Sequence, residues 1–322
     1  LFLAQGMINQ RLSGEFRILP WQGSYNLYAA NREGANGKFY KQQLVFDAVP
    51  AGMNTARMES EYLYREALGP EAPLEVDAMG QYWRSRLLET IAEDPVRWLG
   101  LMARKVVFLL NDWEQYNNLT YAYHKVRFTA LAWNPLGWGV LLLGAIAAVG
   151  LRWKRLSKTA ALGLGSLGLA YAAGLLLFFV SARFRLPLAP LLCIFCGGLA
   201  GLSPEFLRAQ RARALFVLGC LVIMGLVSYG NWFDARDRAS FVQDEILLAN
   251  AALRSGDDAT ALKFARVALS RDGSRQEARR LMVSAIFNLW MAQRASEHGE
   301  AFWQQLGPAL DQVTQADASI SF

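Results

Sequence analysis

Four apolar runs, at residues 135–151, 159–180, 186–202 and 214–229, leave this chain few ways to fold. A bilayer-spanning helix needs about 20 apolar residues, within a range of about 17–25. Each run approaches or reaches that length with almost no charge inside it. Buried helices of a soluble core are the alternative, but four in succession point to a membrane. Composition agrees: 53% of the 322 residues are hydrophobic and 19% are charged, against about 25% charged in soluble domains. The apolar excess lies in residues 135–230, while residues 1–130 and 231–322 have the polarity of soluble segments.

The expected fold is mainly α: a polytopic membrane protein with about four transmembrane helices. An outer-face α/β soluble region precedes them and a helical-repeat tail follows. The boundaries fall at 1–130, 131–230 and 231–322. Basic residues set the orientation. The first connection holds Arg152, Lys154, Arg155 and Lys158, and the third holds Arg208, Arg211 and Arg213 with Glu205. Both connections are therefore cytoplasmic, and the two soluble segments lie outside. The formal charge of +6 is explained by this topology, so no nucleic-acid partner is implied. The chain starts at Leu1 with no signal-like segment, and a membrane-embedded middle needs a route into the bilayer. It is expected to be the C-terminal piece of a longer protein.

Local patterns fill in the soluble parts. "WQGSYNLYAANREGANG" (21–37) alternates like a short strand and then breaks at Gly34, Asn36 and Gly37. Trp83, Leu87, Leu88 and Ile91 have helical spacing. Asp94-Pro95 reads as an N-cap followed by proline at the first helical position. The helix it opens, Pro95 to Leu110, places Trp98, Leu99, Met102, Val106 and Leu109 on one broad face, opposed by Arg97, Arg104 and Lys105. It is expected to lie at the outer membrane interface. In the tail, Ala252, Ala261, Ala265 and Ala268 with a turn at Gly256 match the spacing of a tetratricopeptide repeat. A second unit is expected from Gln276, turning near Gly299. Such a tail can bind a protein partner.

Three stretches could carry chemistry. Arg183 and Arg185, in "SARFRLPLAP" (181–190), stand at an outer turn where the positive-inside rule gives no reason for charge. Guanidinium forks suit a phosphate arriving by way of the membrane. Asn111–Asn118 sets Glu114 and Asn111 among aromatics and amides, a composition that suits sugar binding. Asn26 and Tyr28, with Asn31 nearby, form the third stretch, which also fits a plain strand edge and turn. Asn118-Leu-Thr120 matches a glycosylation sequon, a pattern common by chance. His124 and His298 lack the neighbours of a metal site or nucleophile triad. Cys193, Cys196 and Cys220 lie in apolar runs and read as small packing residues. No metal ligands and no catalytic residue are assigned.

"GSYNLYAANREGANG", "YWRSRLLETIAEDPVRWLGLMARKVVFLLNDWEQYNN" and "SARFRLPLAP" occur in this order. Together they resemble the C-terminal half of bacterial membrane glycosyltransferases of the GT-C class. Within that class it is similar to those related to dolichyl-phosphate-mannose–protein mannosyltransferases, often with tetratricopeptide-like tails. The resemblance covers about residues 7–230. It implies a multi-pass enzyme of the bacterial inner membrane, with its soluble parts on the outer side. Such an enzyme moves a sugar from a polyprenyl-phosphate donor to an acceptor. It implies an inverting displacement in which arginines or a divalent metal stabilise the departing phosphate. It places the catalytic acid in a first outer loop upstream of this chain. It puts Arg183 and Arg185 near the lipid phosphate and matches Glu114 to the acid after the juxtamembrane helix. Two further readings compete: a non-catalytic membrane-anchored adaptor with a tetratricopeptide-like tail, and an oligosaccharide ligase of the same membrane class.

Overall fold

A computed structural model describes residues 2–13, 16, 22–44, 54–116, 119–152, 157–200, 202–239 and 241–294. In chain order its helices are α1 (Phe2–Ser13), α2 (Gly23–Ala29), α3 (Thr55–Leu68), α4 (Val76–Glu93), α5 (Pro95–Leu110), α6 (Tyr121–Lys125), α7 (Thr129–Ala132) and α8 (Trp138–Arg152). They continue with α9 (Lys158–Leu177), α10 (Ala182–Arg185), α11 (Leu188–Cys196), α12 (Pro204–Ala209), α13 (Arg211–Tyr229), α14 (Phe241–Arg254), α15 (Asp258–Arg271) and α16 (Gln276–Arg294). The chain is mainly α, with no strand among the described residues.

The expected α/β character of the N-terminal region is therefore corrected. The stretch read as a strand is helix α2, which buries Tyr25 and Ala29 one turn apart. Seven residues with apolar groups at 25, 27, 28 and 29 satisfy both periods, and packing decides. Tyr25 and Tyr28 lie 4.7 and 5.0 Å from the Trp83 ring on α4. That contact needs both tyrosines on one side of the chain, which a helix supplies and a strand does not. The turn residues then act as read: Gly34 and Gly37 take φ of 74° and 75°, a region open to glycine without strain.

The chain divides into two compact units. One comprises residues 1–117 and 134–236, so the N-terminal helices and the apolar helices belong together. The start of α5 is as the sequence predicts: the Asp94 carboxylate accepts from the Arg97 amide at 2.8 Å, with Pro95 behind it. Phe108 and Leu109 of α5 join Trp138, Leu175, Val180 and Leu188 in one core that includes α8, α9 and α11. Of the apolar helices, α13 (19 residues) is long and apolar enough to cross a membrane by length and composition. Trp138–Arg152, Ala161–Leu177 and Leu188–Leu199 are shorter apolar helices. Leucines on α9 and α13, among them Leu162, Leu169, Leu218 and Leu226, are largely uncovered. Cys196 abuts Gly144 and is a packing residue as expected, whereas Cys193 is exposed.

The other unit comprises residues 118–133 and 237–322. Helices α14, α15 and α16 pack on one another in succession. Ala249, Ala261, Ala265 and Ala285 sit fully buried where the helices approach. Gly256 turns α14 into α15 with φ 78°. The turn expected near Gly299, along with His298, Asn118, Lys154 and Arg155, lies outside the described residues.

Candidate functional site

The two arginines of the turn after α9 have opposite fates. Arg185 is buried, and its guanidinium spans the end of α5. Nη1 donates to the Asn111 carbonyl at 2.5 Å and Nη2 to that of Trp113 at 3.2 Å. Its plane lies 4.8 Å from the Trp138 ring. Carbonyls just past a helix C-terminus have no partners in the helix and carry partial negative charge, so they suit a cation. Burial pulls the Arg185 pKa down to about 10, opposed by Glu114 and Asp112 nearby. It stays charged at neutral pH.

Arg183 is exposed and makes no hydrogen bond or ion pair among the described residues. The pair does not form one anion fork, because the Arg185 guanidinium is buried and turned toward backbone carbonyls. Two residues apart on the short helix α10, the side chains diverge by about 200°. One points in and the other out.

Asn111 and Glu114 belong to the segment that Arg185 holds. Asn111 is buried, donates to the carbonyls of Val227 and Gly230 at 3.2 and 2.9 Å, and accepts from the Trp113 amide. It fixes the loop and does not face a ligand. Asp112 accepts from the Gly139 amide at 2.7 Å. Glu114 is half-buried, close enough to Arg185 to favour its charge. Three of the residues predicted from sequence, Arg185, Asn111 and Glu114, are thus brought together.

Asn26 goes elsewhere. It lines a cleft of about 480 Å³ with Tyr171, Gly174, Phe178, Phe179 and Phe184. Phe184 stands between the two arginines, and the Tyr171 hydroxyl donates to its carbonyl at 2.8 Å. A Cβ at Gly174 would meet nothing within 4 Å, so the cleft is open along α9. Tyr28 stays in the aromatic cluster around Trp83.

Two buried centres escaped the sequence reading. Glu59 on α3 is fully buried and accepts from the Tyr25 hydroxyl at 2.5 Å, the Arg32 guanidinium at 3.3 Å, and the Gln43 and Leu44 amides at 2.7 and 3.0 Å. Burial pushes its pKa up, but these hydrogen bonds outweigh burial and hold it below the usual carboxylate range. Burial and the adjoining carboxylate push the Tyr25 phenol up, so it remains a donor.

Lys105, fully buried on α5, donates to Asn31 Oδ1 at 3.2 Å and to the Leu176 carbonyl at 3.0 Å. Asn31 in turn donates to the Leu177 carbonyl at 2.7 Å. Together they cap the C-terminus of α9. Lys105 thus faces inward, which corrects the reading that grouped it with Arg104 on an outer polar face.

Burial depresses the Lys105 pKa to about 7. The unfolded chain then binds more protons than the folded one between that value and the ordinary lysine range. Stability must rise with pH through this window, by roughly 2 kcal/mol between pH 7 and 9. Lys105→Met should flatten the rise, as read by thermal unfolding in detergent at several pH values.

In the second unit, His124 does have an acidic neighbour. Its Nε2 lies 3.0 Å from Asp244 Oδ1, which also accepts from the Thr120 amide. No group of three His, Cys, Asp or Glu side chains able to hold a metal occurs among the described residues. Comparison with protein-family models, curated proteins and solved structures found no match.

Proposed function

We propose that this chain is the C-terminal part of a membrane glycosyltransferase that moves a sugar from a polyprenyl-phosphate donor to an acceptor on the outer face of the membrane. The observation that carries the reading is the apolar cleft beside the arginine turn. Its walls, from Tyr171, Gly174, Phe178 and Phe184, suit a hydrocarbon chain, and Asn26 is its polar edge. Arg183, next to Phe184, is the cation left over for a phosphate at its mouth. Guanidinium–phosphate contacts are charge-assisted and hold without deprotonation.

Under this reading the four apolar helices span the inner membrane and the soluble parts lie outside. Arg185 organises the Asn111–Glu114 loop and does not touch the donor. Glu114 stands at the acceptor side, and the catalytic acid comes from outside this chain. The described residues do not assemble a metal site, and no step is assigned to a divalent ion. The tail would serve as a docking module of tetratricopeptide type for a protein partner.

The test uses the reconstituted protein and a photoreactive polyprenyl-phosphate sugar. Gly174→Leu should narrow the cleft, and its Cβ would meet nothing within 4 Å. Labelling is expected to fall roughly tenfold, the scale of a few misplaced methylenes in an apolar pocket, with unchanged thermal unfolding. Equal labelling of both proteins would remove the cleft from the reading.

A further inference from the structure

Helix α5 buries a lysine among the apolar residues Leu101, Phe108 and Leu109, and leaves other apolar side chains uncovered. Its inner face carries Lys105, buried and held by Asn31 and a backbone carbonyl. Its outer face presents Val96 at 77% exposure and Leu99 at 60%, with Val106 on the same stripe. A helix in water would reverse these, since a buried ammonium is costly and exposed valine and leucine gain nothing.

On the margin of that stripe, Arg104 lies 5.6 Å from the ring of Phe233. Phe233 follows the end of α13, and its backbone is strained. Phe233 and Asp234 take φ of 53° and 55°, a left-handed region in which a bulky residue is an outlier. Yet the turn gains no core packing from the aromatic residues, because Trp232 and Phe233 stay 52% and 53% exposed.

The strain is held from inside. Buried Lys38 donates to the Asp234 carbonyl at 2.5 Å, and buried Gln115 to that of Ala235 at 3.0 Å. The Trp232 indole donates at 2.8 Å to the Leu226 carbonyl in the last turn of α13, which also accepts from the Gly230 amide at 3.0 Å. It packs so closely over Gly230 that no side chain would fit there. The turn is therefore built to hold two aromatic rings outward at the end of the apolar helix α13.

We propose that the Trp232–Phe233 turn and the outer stripe of α5 form one interfacial anchor, seated at the headgroup–acyl boundary of the outer leaflet. The amphipathic ring of Trp232 favours that depth, and Arg104 is placed to meet lipid phosphate. The uncovered leucines of α13 lead directly to the turn, so the surface is continuous with the face that the membrane reading assigns to lipid. The proposal rests on that membrane reading and on no other part of the proposed function.

The test places single nitroxide labels on a background of Cys193→Ser, Cys196→Ala and Cys220→Ala. The sites are Phe233→Cys, Leu99→Cys, Ile223→Cys within α13, and exposed Glu66→Cys as a water control. The full chain is reconstituted in phosphatidylethanolamine–phosphatidylglycerol vesicles. Collision with oxygen is then compared with collision with a water-soluble nickel complex. Residues 233 and 99 are expected to shift to the oxygen side, as 223 does, while 66 stays on the nickel side. If 223 reads lipid but 233 and 99 read water, the anchor is wrong and the membrane reading stands. If 223 also reads water, both fall. Trp232→Cys gives the same reading without altering the strained Phe233.

Discussion

Replacing Arg185 by methionine is expected to destabilise the protein by about 3–5 kcal/mol, because it leaves carbonyls at the end of α5 buried without donors. Methionine keeps much of the volume beside Trp138, so the loss would report hydrogen bonds and charge more than cavity. Arg185→Lys should recover little of it. A single ammonium cannot reach both the Asn111 and Trp113 carbonyls, which the planar fork does. The contrast is Arg183→Met, expected to leave thermal unfolding unchanged while weakening donor binding. If instead both variants unfold alike, the division between a positioning arginine and a phosphate-facing one is wrong.

Glu59→Ala is expected to cost a similar amount, about 3–5 kcal/mol, the scale for removing one partner of a buried charged pair. It strands the Arg32 guanidinium, the Tyr25 hydroxyl and two backbone amides. Glu59→Gln should fall between, since an amide keeps one acceptor and turns a donor toward other donors. The pH dependence has a definite sign. The Glu59 pKa is lowered in the folded state, so its stabilisation is complete above the ordinary value of about 4.3 and is lost as pH falls through the folded value. Glu59→Gln should therefore show a shallower acid limb than the parent protein. Acid titration of unfolding, with hydrogen exchange along α2 and α3, would measure it.

Much of the fold follows from short-range signals. Asp94-Pro95 opens α5 where its residue types require, because the cap and the proline act within one turn. The alanines of α14 and α15 mark close helix approach, and Gly256 marks the turn. Other features depend on distant partners. Nothing local distinguishes Glu59 from Glu61 or Glu66 on α3. Its role comes from Tyr25 and Arg32, 34 and 27 residues away. Lys105 was placed outward by the usual rule that charge seeks water. Lys105 alone on α5 breaks the rule, and only packing against Asn31 and α9 reveals it. The arginine turn was legible as a site of interest but not in its parts. Sequence shows two guanidiniums two residues apart, and only the short helix α10 turns one inward. The cleft lined by Asn26 draws most of its wall from α9 and the turn that follows, about 150 residues away in the chain, and no motif announces it.

The helical tail has a further consequence for how the protein is made. Its unit takes in residues 118–133, which leave the ribosome before any of the apolar helices α8, α9, α11 and α13. Asp244, which receives the Thr120 amide and His124, follows them by 124 and 120 residues. That early segment must wait, with its hydrogen bonds unmade, until the apolar helices have been made and the chain beyond them has emerged. Completion of the tail is thus a late event in biogenesis, and closure of so long a loop makes it a slow one. A ribosome that stops short of α14 would leave residues 118–133 without the partner they were built to meet.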